Sequence, residues 1–134
     1  MKGIITLCGP TKFYEDFDVA MLELTKAGWA VWTIGSHRGA DSSLNPAVHG
    51  YRGIFEALHF VKIERSDAIL VINKGGYFGE HTRREIELAA KLGKKIFWLE
   101  GNGAVVTLRD LVESAGAETP AVAETPRARR SDRN

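Results

Sequence analysis

The sequence predicts an α/β fold: a parallel sheet of about four to five strands with helices on both faces. Three observations carry this. Short apolar runs rich in β-branched residues alternate with longer stretches of helical periodicity. Glycine or proline punctuates the ends of these runs. The length of 134 residues, 44% of them hydrophobic and 26% charged, suits one ordinary soluble domain and is too short for two.

"GIITLC", residues 3 to 8, is apolar and β-branched and stops at Gly9-Pro10, as a buried parallel strand does. "FYEDFDVAMLELTKAG" follows as a helix whose inward residues are Phe13, Phe17, Ala20, Met21 and Leu24, and Gly28 marks its C-terminal cap. "WAVWTIG", 29 to 35, is a second strand. "YRGIFEALHFVKIERS" is a second helix, with Ile54, Leu58, Val61 and Phe55 predicted to face inward. "DAILVIN", 67 to 73, is the third strand. A glycine turn and then a helix opening near Thr82 follow, and "KKIFWLEG" is the fourth strand. "VVTLRDLVESAG" closes the series as a last short helix. The three tryptophans fall in strands and read as core. The arrangement is Rossmann- or flavodoxin-like.

The folded domain is expected over residues 1–115, and 116–134 as a disordered basic tail that repeats AETP. From Gly116 the tail holds four Arg against three acids, which leaves 1–115 at zero net charge. No nucleic-acid-binding surface is expected from that balance. No stretch approaches the roughly 18 apolar residues of a membrane helix, and the first ten residues lack a signal-peptide core. The single cysteine, Cys8, cannot form an intramolecular disulfide, so a cytoplasmic setting is expected. The polar connector from Ser36 to Tyr51 is either a mobile loop at the site mouth or a plain surface loop.

Ligands of open α/β sheets bind beyond the carboxyl ends of the strands, where strand order reverses. After the first strand, Gly9 and Pro10 turn the chain, Thr11 offers a hydroxyl and Lys12 a charge beside a helix start. A phosphate or sugar hydroxyl fits there, and so does a plain turn; neither a dinucleotide nor a P-loop fingerprint is present. After the third strand come Asn73 and the glycines Gly75, Gly76 and Gly79, which let backbone approach a ligand with positive φ. Tyr77 and Phe78 between them can stack on a base or cover the core. Thr82-Arg83-Arg84-Glu85 then reads two ways. Thr-x-x-Glu ahead of an apolar run is a capping box, in which the acid reaches back to the helix start; a carboxylate near a helix N-terminus is also a candidate nucleophile.

At these residues the sequence resembles the nucleoside 2-deoxyribosyltransferase family and its nucleotide N-hydrolase relatives. "ITLCGPTKF" resembles the family's first strand and Gly/Pro loop, "SDAILVIN" its Ala/Ser-Asp strand start. "HTRREIELA" resembles its Gly-Thr-x-x-Glu-Ile/Leu-Gly-x-Ala signature, with Thr82, Glu85, Ile86 and Ala89 in register. The likeness spans roughly residues 3 to 99. It implies an N-glycosidic bond enzyme acting on nucleosides or nucleoside 5′-monophosphates, by transfer or hydrolysis, in which Glu85 attacks the anomeric carbon and a covalent glycosyl-enzyme is resolved by a second base or by water. No cofactor is implied, and assembly into a homodimer or larger oligomer is.

Three departures stand out. Eight residues before Asp67, where the family has a carboxylate, stands His59, which can give a proton to a leaving base or simply fill a helix. Six residues before Glu85, where some members have Asp, stands Gly79, with Glu80 beside it as the substitute carboxylate. His81 in place of the family glycine leaves less room near the sugar. Lys12, Arg38 and Arg83 are candidates for a 5′-phosphate; Asp67 is expected to hold structure rather than ligand. His37, His49, His59 and His81 lack metal-ligand spacing, and no metal site is expected. A looser resemblance, to the Gly-Gly-x-Gly-Thr-x-x-Glu signature of lonely-guy phosphoribohydrolases, implies ribonucleotide substrates. A third reading is a nucleotide-sensing module that keeps the pocket and has lost the chemistry.

Overall fold

The computed structural model describes residues 1–34, 50–101 and 105–117. Of the connector expected at the site mouth, residues 36–49, Arg38 among them, lie outside these residues, as does the basic tail from 118 on. Four strands, β1 (Gly3–Cys8), β2 (Trp29–Trp32), β3 (Ala68–Val71) and β4 (Lys95–Trp98), alternate with four helices, α1 (Tyr14–Lys26), α2 (Arg52–Glu64), α3 (Glu80–Lys91) and α4 (Leu108–Ala117). All strand pairs are parallel, in the order β2-β1-β3-β4. The chain runs outward from β1 to β2, then crosses to β3 on the other side of β1. Strand order therefore reverses between β1 and β3.

Alternation along β1 assigns the two faces. Ile5 and Leu7 join Phe17, Ala20 and Leu24 of α1, with Leu108 of α4, in one core. Cys8 points the other way, into a second core with Ile69, Val71, Ile63 of α2 and Ala89 of α3. Thr6, on the same side as Cys8, shares a hydrogen bond with Ser66 just past α2. Asp67 accepts from the amide of Ile4 at 2.9 Å, the structural role expected of it. No described helix is long and apolar enough to cross a membrane.

Three local expectations are corrected. The face of α2 is turned: Ile54, Leu58, Val61 and Phe55 are exposed, at 57%, 56%, 37% and 37%, while His59 and Ile63 go inward. The densest apolar stripe is not the buried one: Ile63 is the α2 residue in the core shared by the sheet and α3, and His59 is buried on the same side of the helix. Trp32 is likewise exposed, on the edge strand, whereas Trp29 is core. Finally, α3 begins at Glu80 with Gly79 as its N-cap. Thr82 is thus inside the first turn, and Glu85 lies a turn further on, out of reach of the helix start. The capping box expected at Thr82 and Glu85 does not form. One does form at α4, where the Thr107 amide donates to Asp110 at 3.0 Å and the Asp110 amide donates back to the Thr107 hydroxyl at 3.3 Å.

Candidate functional site

A cavity of about 410 Å³ opens at the carboxyl end of β1, beside the reversal point, within the size range of small-molecule sites. Its walls come from four segments: the turn after β1, Ile34 just past β2, helix α2, and the stretch from Tyr77 into the start of α3. Gly9, Pro10, Thr11 and Lys12 form the first wall. Gly9 has φ 151°, and a Cβ there would lie 2.8 Å from the carbonyl oxygen of Ile72, so the turn packs against β3 only as glycine. Lys12 extends over the Tyr77 ring, its Nζ 4.5 Å from the centroid, so that charge and aromatic face meet at the rim.

From α2 the cavity receives Arg52, Phe55, Glu56 and His59; from α3 it receives Glu80, His81, Thr82 and Glu85. His81 and Glu56 meet across the mouth at 2.8 Å. Deeper in, Nε2 of His59 lies 3.8 Å from Oε2 of Glu85, with the two side chains 2% and 10% exposed. Neither ring nitrogen of His59 nor Oε1 of Glu85 has a hydrogen-bond partner among the described residues.

Burial sets the protonation of this floor. It raises the Glu85 carboxyl from 4.5 to about 8, with the Cys8 thiol beside it opposing and Glu56 reinforcing. It lowers the His59 imidazole from 6.5 to about 4, with Lys62 adding to the effect and the Leu7 carbonyl, short of hydrogen-bond geometry, opposing it. The Cys8 thiol is pushed well above its ordinary value by burial and by the neighbouring Glu85. At neutral pH the floor holds a neutral imidazole and a carboxyl, with the Cys8 thiol buried behind them.

Most of the residues singled out in the sequence meet here: Gly9, Pro10, Thr11, Lys12, His59, Tyr77, Gly79, Glu80, Thr82 and Glu85 all line the cavity. Asn73 and Gly76 do not. The Asn73 side chain is spent tying β3 to the end of β4, donating to the Glu100 carbonyl at 2.9 Å and accepting from its amide at 3.0 Å. Gly76 sits outside, in the turn of Lys74–Gly76; it and Gly75 have positive φ, but Gly79 does not, at −99°. Glu80 is on the rim, paired with Arg83 at 2.8 Å, and Arg83 also reaches Glu87, away from the cavity. Sequence reasoning missed Ile34, and it missed Arg52, Phe55 and Glu56, which share a cavity-facing side of α2. It also missed Cys8, although strand alternation from Ile5 and Leu7 puts it on the α2–α3 side.

No family model matches the sequence, and no curated protein matches it. Among solved structures, a 2-deoxyribosyltransferase from Bacillus psychrosaccharolyticus, a biocatalyst for nucleoside synthesis, superposes with a TM-score of 0.52 at 16% identity, over 80% of this chain and 79% of its own. The fold is similar to that of a 2-deoxyribosyltransferase. The CMP N-glycosidase of Clostridium botulinum aligns with 85% of this chain and 98% of its own, with a TM-score of 0.49 and 16% identity. In the deoxyribosyltransferase-like fold found here, the cavity lies where the strand-end rule for open α/β sheets puts a ligand.

Proposed function

We propose that this chain cleaves the N-glycosidic bond of nucleosides or nucleoside 5′-monophosphates, with Glu85 as nucleophile and His59 as proton donor. The observation that carries the reading is a buried carboxyl on the cavity floor, beside an imidazole 3.8 Å away, with one oxygen unused by the rest of the described protein. A group held this way has no structural task to explain its burial. In the proposed sequence, the proton of the Glu85 carboxyl is relayed through the His59 imidazole to the leaving base in one concerted step as the C1′–N bond breaks, with no free imidazolium formed. The freed carboxylate forms the bond to C1′. Water, or a second base, then attacks C1′ and releases Glu85. Lys12 on the rim, over Tyr77, and Arg52 of α2 are the described cations that line the cavity and can meet a 5′-phosphate, whereas Arg83 is engaged with two glutamates. A mono-nucleoside fits the cavity volume.

One observation favours a second reading, a sensor that binds without chemistry: burial keeps Glu85 protonated at neutral pH in the empty cavity. Incubation with ribo- and deoxyribonucleosides and their 5′-monophosphates separates the two. Base release that falls by about 10³-fold or more in Glu85→Gln, together with a glycosyl adduct on Glu85 by mass spectrometry, is the expected outcome. Comparing AMP with dAMP distinguishes deoxyribosyl from phosphoribosyl chemistry, and added acceptor base distinguishes transfer from hydrolysis. Tight nucleotide binding with no base release from any substrate makes the protein a sensor.

A further inference from the structure

The floor of the cavity, together with the residue buried directly behind it, holds more than the glycosidic reading uses. Cys8 Sγ, a ring nitrogen of His59 and a carboxylate oxygen of Glu85 all lie within 4.8 Å of one another, and all three residues are buried. They come from three different elements, β1, α2 and α3, so their convergence is fixed by the packing of the sheet and two helices. Both nitrogens of a histidine that is only 2% exposed, and one carboxylate oxygen, lack any hydrogen-bond partner among the described residues. Buried polar atoms in folded proteins are ordinarily satisfied, and unsatisfied atoms gathered this closely mark a missing partner.

We propose that Cys8, His59 and Glu85 form a binding site for a zinc-type divalent cation, with its fourth position open to the cavity. The donor chemistry selects the class. A thiolate, an imidazole and a carboxylate suit Zn²⁺ or Co²⁺, and are a poor set for Mg²⁺ or Ca²⁺, which require oxygen ligands. The geometry is near what is needed. Tetrahedral zinc, with ligands at about 2.0 to 2.3 Å, holds them roughly 3.3 to 3.6 Å apart. The His59–Glu85 separation of 3.8 Å already approaches this, and side-chain rotation closes the remainder. Three protein ligands and one open position is the arrangement of accessible rather than sealed zinc sites. Binding forms the metal–sulfur, metal–nitrogen and metal–oxygen bonds and releases the thiol proton, and the carboxyl proton where present, to solvent; no electron moves.

The site does not depend on the glycosidic activity, but its effect does: on that reading, a bound ion occupies the carboxylate that must attack C1′, and reversibly silences the enzyme. The site thereby links nucleoside turnover to the supply of free zinc.

The test uses the full chain, stripped with chelator, in the absence of any nucleoside. Co²⁺ is added as a spectroscopic probe and Zn²⁺ binding is measured by competition with a chromophoric chelator. The expected result is one ion per chain, a thiolate-to-cobalt charge-transfer band, displacement of Co²⁺ by Zn²⁺, and a loss of affinity of at least about 100-fold in Cys8→Ser and in His59→Gln. Absence of the charge-transfer band from the wild-type protein overturns the site without recourse to any variant. So does stoichiometric binding that both folded variants retain, which would place the ion elsewhere, on the remaining histidines. Because binding is read without substrate, a protein that takes up zinc and never releases base keeps this site and loses the glycosidic reading. One that releases base with no zinc uptake does the reverse.

Discussion

Glu85→Gln offers a test of the site that needs no substrate, because an acid held protonated by burial leaves a pH signature in stability. With chelator present, the Glu85 carboxyl titrates at about 8 in the folded protein and at 4.5 in the unfolded chain. Between those values the native state binds one more proton than the unfolded state, so stability falls as pH rises. The slope is about 1.4 kcal/mol per pH unit. The full difference of about 3.5 units corresponds to roughly 5 kcal/mol, absent below pH 4.5 and complete above pH 8, an upper bound because water drawn to a buried charge softens it. Glutamine does not titrate. Its amide brings a pH-independent offset of about 1–3 kcal/mol if its donors find no partner. His59 contributes the opposite slope between about 4 and 6.5, in both proteins, and drops out of the difference. Urea unfolding of wild type and variant at pH 4.5, 6.5 and 8.5 is the measurement. The variant should gain on wild type steadily across the series, by several kcal/mol in all. A difference that does not vary with pH, or a variant that loses ground as pH rises, would mean an ionised acid in the native state and would refute the buried-carboxyl argument.

Other substitutions test the frame around the site. Gly9→Ala forces a Cβ to 2.8 Å from the Ile72 carbonyl at φ 151°, and should cost about 3 kcal/mol by thermal or urea melting; an unchanged midpoint would mean the β1 turn is loosely packed. On α2, Ile63→Ala should cost about 2–5 kcal/mol, since Ile63 is fully buried. Leu58→Lys should change stability by less than about 0.5 kcal/mol, and a loss as large as that of Ile63→Ala would restore the helix face predicted from the apolar pattern. Asn73→Ala removes both hydrogen bonds to Glu100 and should cost about 2 kcal/mol while leaving the cavity walls intact, measured by denaturant titration.

The strands were readable because each is a compact apolar run, bounded by glycines for β1, β2 and β4 and by polar residues for β3, and a buried parallel strand allows little else. Loop walls such as Gly9 to Lys12 followed from strand-end logic alone. The face of α2 was not readable. Ile54, Leu58 and Val61 form a cleaner helical stripe than His59 and Ile63, and nothing local states that a histidine will be sealed inside while leucine stays in water. The role of Glu85 was ambiguous for a different reason. Thr82-x-x-Glu85 matches a capping box letter for letter, but the helix starts two residues before Thr82, at Glu80, and a shift of that size moves the acid from cap to cavity. The nearness of Cys8 to His59 and Glu85 is a property of tertiary packing, far apart along the chain, which no spacing rule for metal ligands detects.

The strand order carries a consequence for how the molecule comes together. β1 is central, but its two neighbours differ greatly in sequence distance: β2 follows after one helix, β3 only after the whole segment that ends with α2. The β1-α1-β2 unit can therefore assemble from short-range contacts, at low loop-closure entropy, while the other edge of β1 waits for β3, and the face that carries Cys8 waits for α2 and α3. Everything on the cavity floor belongs to that later face. A half-assembled chain would bury its first core and still have no site, so the amides of β1 facing β2 should gain protection in pulsed hydrogen exchange before those of β3, and ligand binding should appear only with the slower set.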